Sequence, residues 1–118
     1  MPIHTRYLFS AAMDVAPEKA ALFHEVYDRE HVPALLEVPG VVAVARFETR
    51  ELTMMIGGQR RTIVVEKEPR FSALYELESP DVLISDAWAD AVERGRWPAE
   101  VRPFTTNRRH VLYRRIAP

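Results

Sequence analysis

The residues with the clearest chemical potential lie between positions 24 and 40, in the stretch HEVYDREHVPALLEVPG. This stretch carries two histidines, a tyrosine and several carboxylates, and it includes Pro33 and a final Pro-Gly pair. Histidine changes its charge near neutral pH, so it is a common general acid or base. The stretch therefore indicates either a proton-transfer site or the ordinary end of an amphipathic helix.

His31 and Glu30 lie on or beside the apolar face of this predicted helix when residues are placed at about 100° intervals. His31 is either a base or hydrogen-bond donor in a pocket, or a structural group that bonds a carbonyl freed by Pro33 or stabilises the helix end. A carboxylate at Glu30 must be paired, or its pKa rises. We favour a salt bridge from Glu30 to Arg46 on the next strand, with an acid of raised pKa as the alternative.

The candidate site is extended by three further residues, Tyr75, Trp88 and His110, which all come later in the chain. Tyr75 and His110 lie on predicted strands, and a Tyr–His pair across a pocket suffices to move a proton at a carbon next to a carbonyl group. Each is alternatively a core or sheet-face residue, and strand parity does not show whether Tyr75 faces the helices or a second subunit. Trp88 belongs to the predicted apolar stripe of the second helix, so it is a core residue that also shapes the pocket. The predicted stripe comprises Ile84, Trp88, Ala91 and Val92.

Motifs for metals and cofactors are weak. The chain has no cysteine, which excludes disulfides and thiolate ligands. His24, Asp28 and His31 have helical spacing, but Asp28 is predicted to face solvent and no His-Glu-x-x-His motif occurs. Glycine-rich phosphate loops and the Gly-x-Ser-x-Gly motif are also absent from the sequence. We therefore predict no metal and no cofactor.

Apolar patterns and turn signals predict the element order β-α-β-hairpin-β-α-β. The first helix is predicted from Pro17 to about His31, and the second from Pro80 to about Arg94, with Ser79 as its N-cap. This order predicts a ferredoxin-like α+β fold: a four-stranded antiparallel sheet with two helices on one face. We expect a single domain over residues 1–118, with residues 51–68 inserted as an extra hairpin around Gly57-Gly58.

The predicted strands are apolar on both faces, although two helices cover only one. Val42 and Val44 oppose Val41 and Ala43, for example. A bare apolar face of several hundred Å² is rare in soluble monomers. We therefore predict a homodimer that packs sheet to sheet, with the oily 51–68 hairpin gripping the neighbouring subunit.

Three segments, YDREHVPALLEVPGVVAVARFE, PRFSALYELESPDVL and RRHVLYRRI, resemble small bacterial proteins of the dimeric α/β-barrel superfamily, particularly its EthD-like and related uncharacterised members. The shared pattern is a helix ending in His-x-Pro, a Pro-Gly turn, an arginine on the second strand and an aromatic-rich third strand. The resemblance implies a pocket in each subunit between the sheet and its own helices. The superfamily hosts monooxygenases, isomerases, cyclases, haem-degrading enzymes and proteins of no known activity, so the fold leaves the function open.

The function we predict is a cofactor-independent enzyme that acts on a small aromatic or ketone-bearing metabolite by proton transfer or oxidation. The alternatives are a non-catalytic binding or accessory protein of a catabolic pathway, and a scaffold with a vestigial pocket. The net charge of −1 favours neither nucleic acid nor membrane as partner, and we expect a cytoplasmic protein. The predicted catalytic residues are His31 and Tyr75; the predicted ligand-binding residues are Arg46, Glu30, Trp88 and His110.

Overall fold

A four-stranded antiparallel sheet forms the centre of the fold, in a computed structural model that describes residues 3–118. Its strand order is β2-β5-β1-β6, the ferredoxin-like arrangement that the sequence predicts. The strands are β1 (Tyr7–Val15), β2 (Val41–Glu48), β5 (Phe71–Leu77) and β6 (Thr105–Arg114). A separate hairpin consists of β3 (Leu52–Ile56) and β4 (Gln59–Ile63). No helix in the described part of the chain is long and apolar enough to cross a membrane.

The first helical segment contains a widened turn that the sequence analysis did not predict. A 3-10 turn (Pro17–Lys19) leads into α1 (Ala20–Val26), a π-helical turn (Tyr27–His31) and α2 (Val32–Leu36). Pro33 has no N–H to donate to the Arg29 carbonyl, and its ring crowds that carbonyl in a regular helix. In the π-helical turn, Val32 N–H instead donates to the Tyr27 carbonyl. The helical segment therefore continues past Pro33 to Leu36.

The second helical segment is shorter than predicted. Ser79 caps it as expected, since its hydroxyl accepts from Asp81 N–H at 3.1 Å. A 3-10 helix (Pro80–Ile84) then stops at Ser85, whose backbone is extended and whose hydroxyl caps α3 (Asp86–Ala91). This restart changes the helical phase. Ile84 is consequently 83% exposed, and its predicted place in the apolar stripe is wrong.

The two faces of the sheet are now distinguished by burial along β5. Phe71, Ala73, Tyr75 and Leu77 are buried, whereas the residues between them are only partly buried. The buried set packs against the helical segments in one core, and we call this side the inner face. Tyr75 lies on the inner face, and so does His110, which pairs with Ala11 across β1 and β6.

The opposite side of the sheet, the outer face, is apolar and open. Leu8, Ala45, Phe47 and Leu74 line a depression of about 310 Å³ there. Phe47 is 51% exposed. The described helical residues pack on the inner face, so this is the uncovered apolar surface that the sequence analysis expected.

The hairpin extends away from the body of the protein. Gly57 and Gly58 both have positive φ, as expected for the tight turns that join antiparallel strands. The hydroxyls of Thr53 and Thr62 lie 2.9 Å apart across the two strands, and every β3 side chain is exposed. The radius of gyration is 16.0 Å, whereas a compact chain of this length has about 13.5 Å.

Candidate functional site

A cavity of about 170 Å³ lies between the inner face and the helical segments. Its wall contains seven aromatic or imidazole rings, four aliphatic side chains and two arginines, and no carboxylate. The rings are Phe9, Tyr27, His31, Tyr75, Trp88, Trp97 and His110; the other residues are Ala11, Met13, Leu35, Val92, Arg102 and Arg108. The arrangement is suited to a small planar ligand of neutral or negative charge.

Two π-helical turns position three of these rings. Tyr27 and His31 begin and end the first turn, and Trp97 begins the second (Trp97–Val101). The His31 ring stacks on Trp97, with centroids 4.3 Å apart and planes at 19°. Tyr27 meets His31 edge-on at 5.1 Å. Single π-helical turns are rare and are frequent at functional sites, and both turns here contribute rings to the same cavity.

His31 is a buried base without a partner. Its side chain is 6% exposed, and its Nδ1 has no hydrogen-bond partner among the residues that the structure describes. Burial, together with the positive charge of Arg102, lowers the pKa of His31 to about 4. The imidazole is therefore neutral at pH 7. A buried polar atom without a partner costs about 1–3 kcal/mol, so it calls for an explanation.

Tyr27 and Tyr75 form a buried hydroxyl pair in the same cavity. Their oxygens lie 3.2 Å apart. Burial raises the pKa of both phenols, and the neighbouring Tyr27 raises that of Tyr75 further. Both hydroxyls are therefore protonated at neutral pH. Only one of the two O–H groups is needed for the mutual bond, which leaves the other to donate to a ligand.

Trp88 and His110 line the cavity and both contact the Phe9 ring, with ring centroids 6.0 and 5.8 Å from its centroid. His110 stacks on the Phe9 ring at 5.8 Å and 19°. Trp88 meets Tyr75 edge-on at 5.6 Å. Burial and the charge of Arg108 lower the pKa of His110. His31, Tyr75, Trp88 and His110, four of the six predicted site residues, thus surround one cavity.

Arg46 lies outside the cavity wall. Its guanidinium is 4.5 Å from the centroid of the Tyr27 ring, where it donates to Asp28 at 2.6 Å and lies 3.0 Å from Nδ1 of His24. Burial, together with the charge of Arg46, lowers the pKa of His24. In this structure Arg46 therefore supports the back of Tyr27.

Glu30 forms the expected salt bridge, but its partner is Arg96 rather than Arg46. The Glu30 carboxylate accepts two hydrogen bonds from Arg96. One comes from the Arg96 Nε at 2.6 Å and the other from the Arg96 backbone N–H at 2.9 Å. These bonds hold the pKa of Glu30 below its usual value, so the alternative of a raised-pKa acid is wrong. The π-helical turn contains one more residue than an α-helical turn. The side chains that follow therefore point in other directions than a spacing of 100° per residue predicts. Gly95 fits against this ion pair, since a Cβ there would meet Glu30 Oε1 at 2.5 Å.

Among the polar and aromatic wall residues, the sequence analysis did not assign Phe9, Tyr27, Trp97, Arg102 or Arg108 to the site. Trp97 and Arg102 belong to the segment RWPAEVRPF, between the second predicted helix and the last predicted strand, where the sequence analysis assigned no site residue. Arg108 lies on β6, two residues before His110. The signal that could have found it is the spacing of Arg108 and His110, because alternate residues of a strand share a face.

The structure offers no metal centre within residues 3–118: no group of three or more His, Asp or Glu side chains is placed to hold an ion. His24 bonds Arg46, while His31 lies in the cavity wall. These two histidines of the helical segment therefore do not share a site.

Comparisons with known proteins identify the fold but no sequence family. No protein-family model matches the chain, and no curated protein matches it. Among solved structures, the chain is similar to a mutant of SnoaB, a cofactor-independent oxygenase from Streptomyces nogalater, with a TM-score of 0.58 and 16% identity over 95% of this chain and 94% of that one. An EthD family protein from Bacillus halodurans matches with a TM-score of 0.57 and 10% identity, over 93% of this chain and 99% of that one.

The heme-degrader MhuD from Mycobacterium tuberculosis, with two hemes bound, gives a TM-score of 0.55 at 13% identity over 95% of this chain and 97% of that one. A protein from an uncultured marine organism, described as a dimeric ferredoxin-like protein, also shares the fold, with a TM-score of 0.57 at 16% identity over 98% and 91%. At these identities the similarity establishes the fold alone. The chain therefore has the ferredoxin-like fold found in dimeric proteins, EthD family members among them, as the sequence analysis predicted.

Proposed function

We propose that the protein is a small enzyme that needs no cofactor and transfers a proton at a carbon next to a carbonyl group of an aromatic or ketone-bearing metabolite. The observation that carries this proposal is the position of the neutral His31 imidazole in the wall of a cavity lined by seven rings and no carboxylate. Among the described residues the imidazole has no hydrogen-bond partner at Nδ1, and a buried polar group left unsatisfied is a candidate functional group.

The cavity holds both groups that such a reaction needs. Neutral His31 is the base that accepts a proton from the substrate carbon. The free O–H of the Tyr27–Tyr75 pair donates to the carbonyl oxygen, where negative charge develops as the proton leaves. Oxidation of the resulting carbanion by dioxygen is the second route, and it begins with the same step. SnoaB, which shares this fold, is described as a cofactor-independent oxygenase.

The size of the cavity limits the ligand to about one ring. Its volume is about 170 Å³, and an apolar protein cavity of about 150 Å³ accepts benzene. Although MhuD binds heme on this fold, a porphyrin macrocycle is several times larger than a benzene ring. The residues present here do not fit haem, and we derive no step through it.

A non-catalytic binding protein is the second candidate. The pKa of His31, about 4, favours this role, because a histidine so hard to protonate is a weak base. In this alternative His31 only accepts a hydrogen bond from the ligand. The two candidates share the site and differ in whether a proton leaves the bound molecule.

We also propose that two copies associate through their outer faces. The support is the apolar surface around Leu74, Ala45 and Phe47, which an identical surface would cover in an isologous dimer. The hairpin then lies against the second copy. The homologous fold of a protein described as dimeric agrees with this assembly.

Hydrogen–deuterium exchange tests the catalytic proposal. Aryl ketones such as acetophenone and benzoylacetone would be incubated with the protein in D2O, and loss of the proton next to the carbonyl followed by NMR. We expect exchange that falls about 100-fold or more in His31→Asn. The matched control is His24→Asn, on the same helical segment but outside the cavity wall. Ligands that bind without exchange would overturn catalysis and leave the binding candidate.

A further inference from the structure

The charges around the cavity are all of one sign. Arg102 and Arg108 are the charged residues of its lining, and none of the lining residues is acidic. An anion that enters this cavity therefore meets two guanidinium groups and no opposing carboxylate in the wall.

Arg102 is already paired. Its guanidinium donates to the Glu93 carboxylate at 3.1 Å and to the Val92 carbonyl at 2.8 Å. These contacts hold Arg102 in place and neutralise much of its charge. Arg102 therefore shapes the site more than it binds a ligand.

Arg108 differs from the other arginines around the core. Its Nε and Nη2 donate to the neutral Thr105 hydroxyl at 3.0 and 2.6 Å, and Nη2 also lies 3.2 Å from the Arg102 carbonyl. Within the described residues no carboxylate pairs with it, whereas Arg46, Arg96, Arg102 and Arg109 each have one. The Thr105 contacts fix the plane of the guanidinium, and Nη1 makes none of these bonds. A positioned guanidinium with an unused edge is suited to a carboxylate.

The exposure of the lining residues indicates how a ligand is oriented in the cavity. Arg108 and His110 are exposed residues of the wall, whereas His31 and Tyr75 are buried. The exposed pair therefore marks the entrance and the buried pair the floor. Rings from Phe9, Trp88 and Trp97 also line the cavity.

We propose that the cavity selects planar aromatic carboxylates, with the ring enclosed and the carboxylate held by Arg108 at the entrance. This inference rests on the proposed function only in sharing its cavity. It assigns the binding of the anion to Arg108, whereas the arginine that the sequence analysis predicted to bind ligand is Arg46. The inference holds for an enzyme and for a binding protein alike.

The chain carries its own reporter for the test, because both of its tryptophans line the cavity. Tryptophan fluorescence would be titrated with benzoate, with benzamide as the uncharged aromatic of the same shape and cyclohexanecarboxylate as the non-aromatic anion. We expect benzoate to bind about 10-fold or more tightly than benzamide, the size of one charge-assisted hydrogen bond. Cyclohexanecarboxylate should bind more weakly than benzoate.

Variants at adjacent positions assign the effect. Arg108→Gln should weaken benzoate binding about 10-fold and leave benzamide unchanged. Arg109→Gln is the matched control, since Arg109 is the next residue and pairs with Glu68 outside the cavity. Arg108→Lys, which keeps the charge and loses the planar fork, should give an intermediate affinity. Far-ultraviolet circular dichroism of each variant checks that it folds.

Equal affinities for benzoate and benzamide, no benzoate binding at all, or equal losses in the Arg108 and Arg109 variants would each overturn the inference. The result of this binding experiment is independent of the result of the hydrogen–deuterium exchange experiment. Benzoate selectivity without ketone exchange removes catalysis and keeps the anion site. Ketone exchange without benzoate selectivity removes the anion site and keeps catalysis.

Discussion

The two faces of β5 show how one strand serves two purposes. On the inner face, Tyr75 and Leu77 are at most 1% exposed, packed by helices and rings. On the outer face, Leu74 lies in an open apolar depression. Among the described residues, no group on the inner face bonds His31 Nδ1, and no helix covers the apolar outer face. Under our proposals, a ligand occupies the cavity on the inner face and a second copy covers the outer face.

The largest expected effect is on assembly. Leu74→Arg places a charge in the outer face, which is unfavourable where two copies meet because the charge is left without a partner. Light scattering should report twice 13.6 kDa for the natural chain and a single copy for the variant. A single copy for the natural chain would remove the proposed role of the outer face.

Truncation on the two faces of β5 should give unequal losses of stability. Leu77→Ala empties a fully buried position and should lower the free energy of unfolding by about 2–5 kcal/mol. Leu74→Ala, three residues earlier, should cost less, and its cost should depend on protein concentration because it acts through association. Urea unfolding at several protein concentrations makes the measurement. Equal, concentration-independent losses would contradict the contrast between the faces.

The pH dependence of stability sharpens the view of His31. Its folded-state pKa, about 4, lies below the ordinary value near 6.5, so between these values the unfolded chain binds more protons. The free energy of unfolding should therefore fall as the pH is lowered from about 6.5 to 4, by about 3 kcal/mol. In His31→Phe, this fall in the free energy of unfolding between pH 6.5 and 4 should disappear. The control His4→Phe, at an exposed position, should show the same fall as the natural chain. An unchanged pH profile in the His31 variant would show that the imidazole is solvated.

Local patterns in the sequence predict the sheet well. The alternation of Phe71, Ala73, Tyr75 and Leu77 identifies one face of β5 because side chains of a strand alternate regardless of what packs on them. Which face meets the helices is a tertiary property, and only the structure shows it. The Ser79 cap is likewise local, and it is confirmed.

The errors arise where a helix departs from regular geometry. The π-helical turn before Pro33 and the second cap at Ser85 both change the helical phase, so the partner of Glu30 and the exposure of Ile84 were predicted wrongly. Arg108 was missed for another reason. Its neighbours in the cavity come from distant segments. The spacing of Arg108 and His110 places both on one face of β6, but the sequence does not show that this face lines a cavity.

The crystal structure of the protein soaked with benzoate is the most direct test of the claim that the inner-face cavity is the ligand site. The account predicts a ring between Phe9, Trp88 and Trp97, with its carboxylate on Arg108 and with Leu74 covered by a second copy. A ring bound in the outer-face depression, or a cavity that stays closed while benzoate binds elsewhere, would contradict it.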